Sequence, residues 1–153
     1  MSVRRQSTSG CSKSPNMVAE ITTRPESRIV DLTLIEKVRA QINAAPRVEA
    51  PVECKFTPGV MTRKIFMPAG SRHLSKIHKT HHQFFVMQGS CLVSENGVEP
   101  LLMVAPYNGE TKPGTWRELF ILSDCVWITV HPTDKTTVAE VEKDIIQPPE
   151  ESK

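Results

Sequence analysis

His78 and His82, four residues apart, are the side chains whose types and spacing could do chemistry. On an extended strand, residues i and i+4 point to one face, so both rings would look the same way. Neutral imidazole ligates divalent transition metals, and with an ordinary pKa of about 6.5 it exchanges protons near neutral pH. Lys76 shares their parity and would join them, whereas His81 would face away. One reading is a metal site held by His78 and His82 and completed by His73 or water. The other carries more weight: a polar interior in which the rings bond to backbone or to each other, because most buried polar groups are satisfied.

Other reactive types offer less. Cys91 has no activating base beside it, and no serine stands in a GxSxG context. His131, next to Pro132 at a strand end, reads as structural. Trp116 and Trp127 stand in apolar runs and read as core or interface. Asp124 sits in a turn signal, and the acidic residues near the C-terminus read as a solvated helix face.

The elements that must position the histidines are legible around them. With 153 residues, 39% hydrophobic and 24% charged, the chain has the mix of a soluble protein with one modest core. A net charge of +2, with no Lys/Arg run interleaved with aromatics, gives no argument for nucleic acid. No apolar stretch reaches the roughly 18 residues of a membrane helix. The N-terminal MSVRRQSTSGCSKSPN is basic but lacks the apolar stretch of a signal peptide, which predicts an intracellular product. Cys11, Cys54, Cys91 and Cys125 form no CxxC pair or zinc-like spacing, and Cys91 and Cys125 fit as small packed hydrophobes.

Residues 1–28, rich in Ser, Thr, Arg and Pro, read as a flexible or partner-bound arm. Over 29–45, Ile29, Leu32, Ile35, Val38 and Ile42 recur at helical spacing behind Asp31 as cap, which predicts an amphipathic helix. Pro46 to Pro58 reads as a connection. The runs GVMTRKIFM, LSKIHKT, HQFFVMQG, SCLVSE, EPLLMVA, TWRELFIL and CVWITVH follow, parted by the turn signals PAGS, QGS, ENG, APYNG, KPG and LSD. Seven short strands at this spacing predict an antiparallel sandwich or barrel over 46–133. Over 134–153, a helix capped by Thr133 or Asp134, with Val138, Val141, Ile145 and Ile146 on one stripe, precedes a polar tail.

The stretch MPAGSRHLSKIHKTHHQFFVMQG, Met67 to Gly89, resembles the first conserved motif of the cupins, a Gly turn leading into a His-x-His strand, a Glu and a Gly-containing hairpin. APYNGETKPGTWRELFIL resembles the second, a Pro-Gly turn leading into a strand with a third His. The turn positions Gly70, Gly89, Pro113 and Gly114 match, and the resemblance spans roughly half the chain. It implies a single cupin-type jelly-roll barrel, mainly β, flanked by an arm with one helix and by a C-terminal helix. It also implies ligand positions for a divalent transition metal. These fall on Lys76, His78, His82 (in place of Glu) and Arg117, or Trp116 with a one-residue slip, so the set is incomplete and cations take ligand positions. The expectation is therefore no cofactor, with a metal at His78 and His82 as the alternative. A further alternative is an anion pocket in which Lys76 and Arg117, with a protonated histidine, hold a carboxylate or phosphate.

KIHKTHHQFFVMQGSCLVSENGV and KPGTWRELFILSDCVWITVHPTD are also similar to small cupin-like proteins encoded by tailed bacteriophages. That resemblance implies a structural or accessory virion protein (capsid decoration, connector or tail-associated) made in the bacterial host cytoplasm. It would be a homo-oligomer, tied to other virion proteins through its arm, without nucleic acid or membrane contact. The competing expectation is a small metal-dependent or anion-binding cupin, enzyme or binding module, in which His78 could also serve as acid or base.

Overall fold

Turns at Pro58-Gly59, Asn96-Gly97 and Pro113-Gly114 cut the apolar runs into antiparallel partners, with Asn96 and all three glycines at positive φ. The computed structural model describes residues 31–148. The expected arm over 1–28, with Cys11, lies outside the described residues. The first element is α1 (Leu32–Asn43), where the Asp31 carboxylate accepts from the Leu34 N–H at 3.0 Å and Ile35 and Val38 are buried. The strands are β1 (Val52–Thr57), β2 (Val60–Met67), β3 (Arg72–Leu74), β4 (His82–Glu95), β5 (Leu101–Val104), β6 (Tyr107–Thr111) and β7 (Arg117–Pro132), followed by α2 (Val138–Ile145).

The sheet order is β1-β2-β7-β4-β5, with β3 on β7 and β6 on β4, and every pairing is antiparallel. This is the mainly β jelly-roll class implied by the sequence, with a helix on either side. Two long strands organise it. The C-terminal half of β7 pairs with β2 and its N-terminal end with β3, while β4 pairs with β7 along its length and with β6 and β5 on its other side. Inward residues from both halves (Met67, Phe84, Val86 and Trp127 with Cys91, Val93, Met103, Leu119 and Ile121) form one apolar core. Cys91 and Cys125 are fully buried thiols within or against it.

The structure corrects several boundaries. QGS and LSD are not reversals: β4 and β7 each run straight through them as one strand. The ladder between them shifts register at Val86/Gln88, Gln88/Ser90 and Ser90/Cys91, so the pair bends by bulging instead of turning. Gly89 (φ 79°) sits at that bend against the backbone of Asp124. VECKFT, taken as part of a connection, is edge strand β1, and YNGET, taken as a turn, is β6. LSKIHKT is not a strand beyond Leu74; its only ladder contact is a bridge between His78 and Ile146.

That irregular segment is sealed by the C-terminal helix. The Lys79 N–H donates to Ile145 O at 2.7 Å and the Gln147 N–H to Ile77 O at 2.9 Å. Val141 and Ile145 pack on Met61, flanked by Cys54 and Phe56. The helix cap is Thr137, not Thr133 or Asp134: Thr137 Oγ1 accepts from the Glu140 N–H and donates to its carboxylate. Thr133 Oγ1 instead accepts from the Lys135 N–H, closing a turn of its own.

Candidate ligand-binding site

Strand alternation decides which side chains enter the barrel. On β2 the inward set is Met61, Arg63, Ile65 and Met67; on β7 it is Trp127, Thr129 and His131; on β4 it is His82, Phe84 and Val86. Cross-strand pairing lines these up in rows. Arg63 stands opposite Thr129, and Thr129 opposite Phe84, while Met61 stands opposite His131. His82 lies one step beyond the Gln83–Val130 pair, which brings it beside His131. His78, on the irregular segment held by its N–H to Thr115 O and by Gly114 N–H to its own carbonyl, completes a cluster.

The three rings are close-packed. Centroids lie 4.4 Å apart for His78–His82, 4.3 Å for His82–His131 and 6.1 Å for His78–His131. His131 Nε2 shares a hydrogen bond with Thr129 Oγ1 at 2.9 Å. Its Nδ1, His78 Nδ1 and both ring nitrogens of His82 are buried without a hydrogen bond of ordinary geometry among the described residues. The expectation that the interior imidazoles bond to backbone or to each other is met by none of these four nitrogens at ordinary hydrogen-bond geometry among the described residues, though the Thr80 backbone acts on His82. Burial holds all three rings uncharged at neutral pH. His78 falls to about 3, from burial and then His82, His131, Arg117 and Arg63. His131 falls to about 3, from burial and then His82 and Arg63. Burial takes His82 to about 4; the Thr80 backbone opposes this without a hydrogen bond of normal geometry, and Arg117 and Arg63 reinforce it.

A cavity of about 210 Å³ opens beside the cluster. Arg63, His78, His82, Thr129 and Arg117 form its polar end, and Ile65, Met67, Leu74, Leu119 and Trp127 its apolar wall. Arg117 is buried at the start of β7, with its guanidinium 2.9 Å from Glu95, 2.8 Å from Thr111 Oγ1 and 4.7 Å over the Phe84 ring. The flat stack of Phe84 on Trp127, 4.5 Å apart at 6°, fixes that platform, and Gly109 leaves room for the Phe84 ring. Arg63 reaches Glu142 of α2 at 2.9 Å, leaving its buried Nε without a partner.

Lys76 is the misplaced member of the expected set. Its ammonium is exposed and bonded to Glu142 at 3.0 Å instead of sharing the inner face, because residues 75–81 are not a strand and parity does not hold there. His81 does face away, paired with Glu110, and His73 lines the cavity bonded to Ser71 Oγ. His131 and Arg63 are the members that sequence reasoning missed. The signal was available in the alternation through M-T-R-K-I-F-M and W-I-T-V-H, which puts each on the inward parity.

No protein-family model and no curated protein matches this sequence. Among solved structures, one similar fold is an RmlC-like cupin family protein from Methanocaldococcus jannaschii (TM-score 0.48, 13% identity, 58% of this chain and 84% of that one). Another is KdgF from Halomonas sp. (TM-score 0.47, 20% identity, 57% and 84%). A third is the DMSP lyase DddQ from Ruegeria pomeroyi (TM-score 0.49, 13% identity, 58% and 49%).

The divalent metal implied by the motif resemblance does not fit the residues present. Lys76 and Arg117 occupy two of the ligand positions implied by the resemblance, and the nearby carboxylates of Glu95 and Glu142 are bound to guanidinium groups. Among the described residues, no three His, Cys, Asp or Glu side chains are placed to hold one ion. Two cations on the cavity wall also oppose a divalent charge.

Proposed function

We propose that this cupin-type barrel binds a small organic molecule in the cavity bordered by His78, His82, Arg63 and Arg117. The observation that carries this reading is His82, 4% exposed at the cavity wall, with neither ring nitrogen in a hydrogen bond of ordinary geometry among the described residues. A buried polar group without a partner costs about 1–3 kcal/mol, and its retention calls for something that pairs with it. Binding is favoured over general-base catalysis because imidazoles held at about 3 to 4 lie well below neutral pH, where a base is weak.

His82→Leu tests the reading. The substitution removes the unsatisfied nitrogens, so the expected result is a gain of about 1 kcal/mol or more in urea denaturation, together with loss of metabolite-induced thermal shifts. A variant that is destabilised while the wild type responds to no metabolite would make His82 a structural residue. Stoichiometric metal in the purified protein, lost on His78→Ala, would overturn the reading in favour of a metal site.

A second reading, the bacteriophage particle component, draws support from the outer face of the sheet. Leu102, Val104, Phe120 and Leu122 are 40–54% exposed there, more apolar surface than a solvated face requires. Self-association would cover it. The expected result in sedimentation at micromolar concentration is a dimer or larger species, and a stable monomer would count against it.

A further inference from the structure

The ligand-binding reading leaves open what the cavity takes, and the charges around it narrow the choice. Among the described residues, Arg63 and Lys76 share a single carboxylate, Glu142, at 2.9 and 3.0 Å. Lys76 is exposed and does not line the cavity, so Glu142 divides its charge between that ammonium and Arg63 on the cavity wall. Arg63 Nε is buried, without a hydrogen-bond partner among the described residues, and on a residue that lines the cavity. His82 lines the same cavity; its neutral ring carries one N–H and one bare nitrogen, neither in a hydrogen bond of ordinary geometry among the described residues, although the Thr80 backbone favours the N–H. Both border the cavity, and one of them is charged.

Size and wall set the remaining terms. About 210 Å³ is below the roughly 300 Å³ at which drug-sized ligand pockets begin, so the occupant is small. Ile65, Met67, Leu74, Leu119 and Trp127 offer it only apolar contact. A dianion would lose more hydration entering such walls than a monoanion does. An uncharged ligand would leave the Arg63 donor without a charge-assisted bond.

Resting on that reading, we propose that the cavity binds a small monocarboxylate, with its carboxylate on Arg63 Nε and His82 and a short apolar body against Leu119 and Trp127. Glu142, the present partner of Arg63, then acts as an internal competitor for the same guanidinium.

The test uses the full chain and isothermal titration with butyrate and benzoate, their uncharged isosteres butyramide and benzamide, and inorganic phosphate. The expected result is at least tenfold tighter binding of the carboxylates than of the amides, and no binding of phosphate. Arg63→Gln should weaken benzoate at least tenfold, while Glu142→Gln should tighten it several-fold. A merely damaged fold cannot produce those opposite signs. Amides that bind as tightly as carboxylates, or phosphate that binds best, would overturn the monocarboxylate and leave the cavity as a binding site. Silence from every probe, in wild type and Glu142→Gln alike, would overturn the proposal. If His82→Leu then also brings no gain in stability, the ligand-binding reading fails with it.

Discussion

Acidification from pH 7 towards pH 4 is expected to unfold this protein. His78, His82 and His131 have folded-state pKa values of about 3, 4 and 3, against an ordinary value of about 6.5 reached once the chain is unfolded. Between those limits the unfolded state binds more protons than the folded one, so stability rises with pH. It is complete above about pH 6.5 and is lost progressively as pH falls. At about 1.4 kcal/mol per pKa unit, each ring removes up to roughly 3 kcal/mol by pH 4, and a domain of this size has only about 5–15 kcal/mol in total. Glu142 acts in the same direction. Burial opposes its ionisation, but the hydrogen bonds from Lys76 and Arg63 prevail and lower its pKa, so its contribution is also lost in acid. Urea denaturation at pH 7, 6 and 5 should give steeply falling midpoints, with a shallower fall in His82→Leu. Midpoints that stay flat between pH 7 and 5 would mean that the rings are not held neutral.

Gly89→Ala should be the most damaging single methyl group that can be added to the barrel. Gly89 has φ 79°, a conformation that costs any L side chain about 1–2 kcal/mol. Its Cβ would also fall inside the Asp124 carbonyl oxygen, with Asp124 C and Ser123 O at 2.8 Å. Those atoms are backbone of the paired strand, so relief means parting β4 from β7 at the bend. A loss on the order of 4 kcal/mol or more, read as insoluble or unfolded product, is expected. Gly59→Ala is the control, because it has φ 84° but nothing within 4 Å. It should lose only the conformational cost, about 1–2 kcal/mol. Equal midpoints for the two variants would show that β4 and β7 do not approach so closely there.

The fold class was readable because the sequence writes it locally, in period-2 alternation and Gly-marked turns. The errors came where one local signal has two uses. Gly89 and the Ser-Asp of LSD carry turn chemistry, yet positive φ serves a bulge as well as a reversal, and only the partner strand decides which. β1 was hidden by the prolines on either side of it, although an edge strand tolerates such neighbours. At the site, His78 and His82 meet as expected, but not through strand parity, since His78 lies before β4 begins. Lys76 was misplaced by the same assumption. His131 lies 49 positions beyond His82 in sequence, so no spacing rule could join them; the pairing of β4 with β7 does. The partners of Arg63 and Arg117, Glu142 and Glu95, are likewise products of tertiary approach.

β7 also sets when the molecule can come into being during synthesis. β2 and β3 pair with β7, and so does β4, but β4 shares no ladder with β2 or β3. Until residue 132 has left the ribosome, these strands have no common neighbour, and the halves of the core cannot meet. The emerging chain must therefore carry much of its apolar strand surface unburied until β7 has been made, which favours slow folding and makes chaperone supply a determinant of yield.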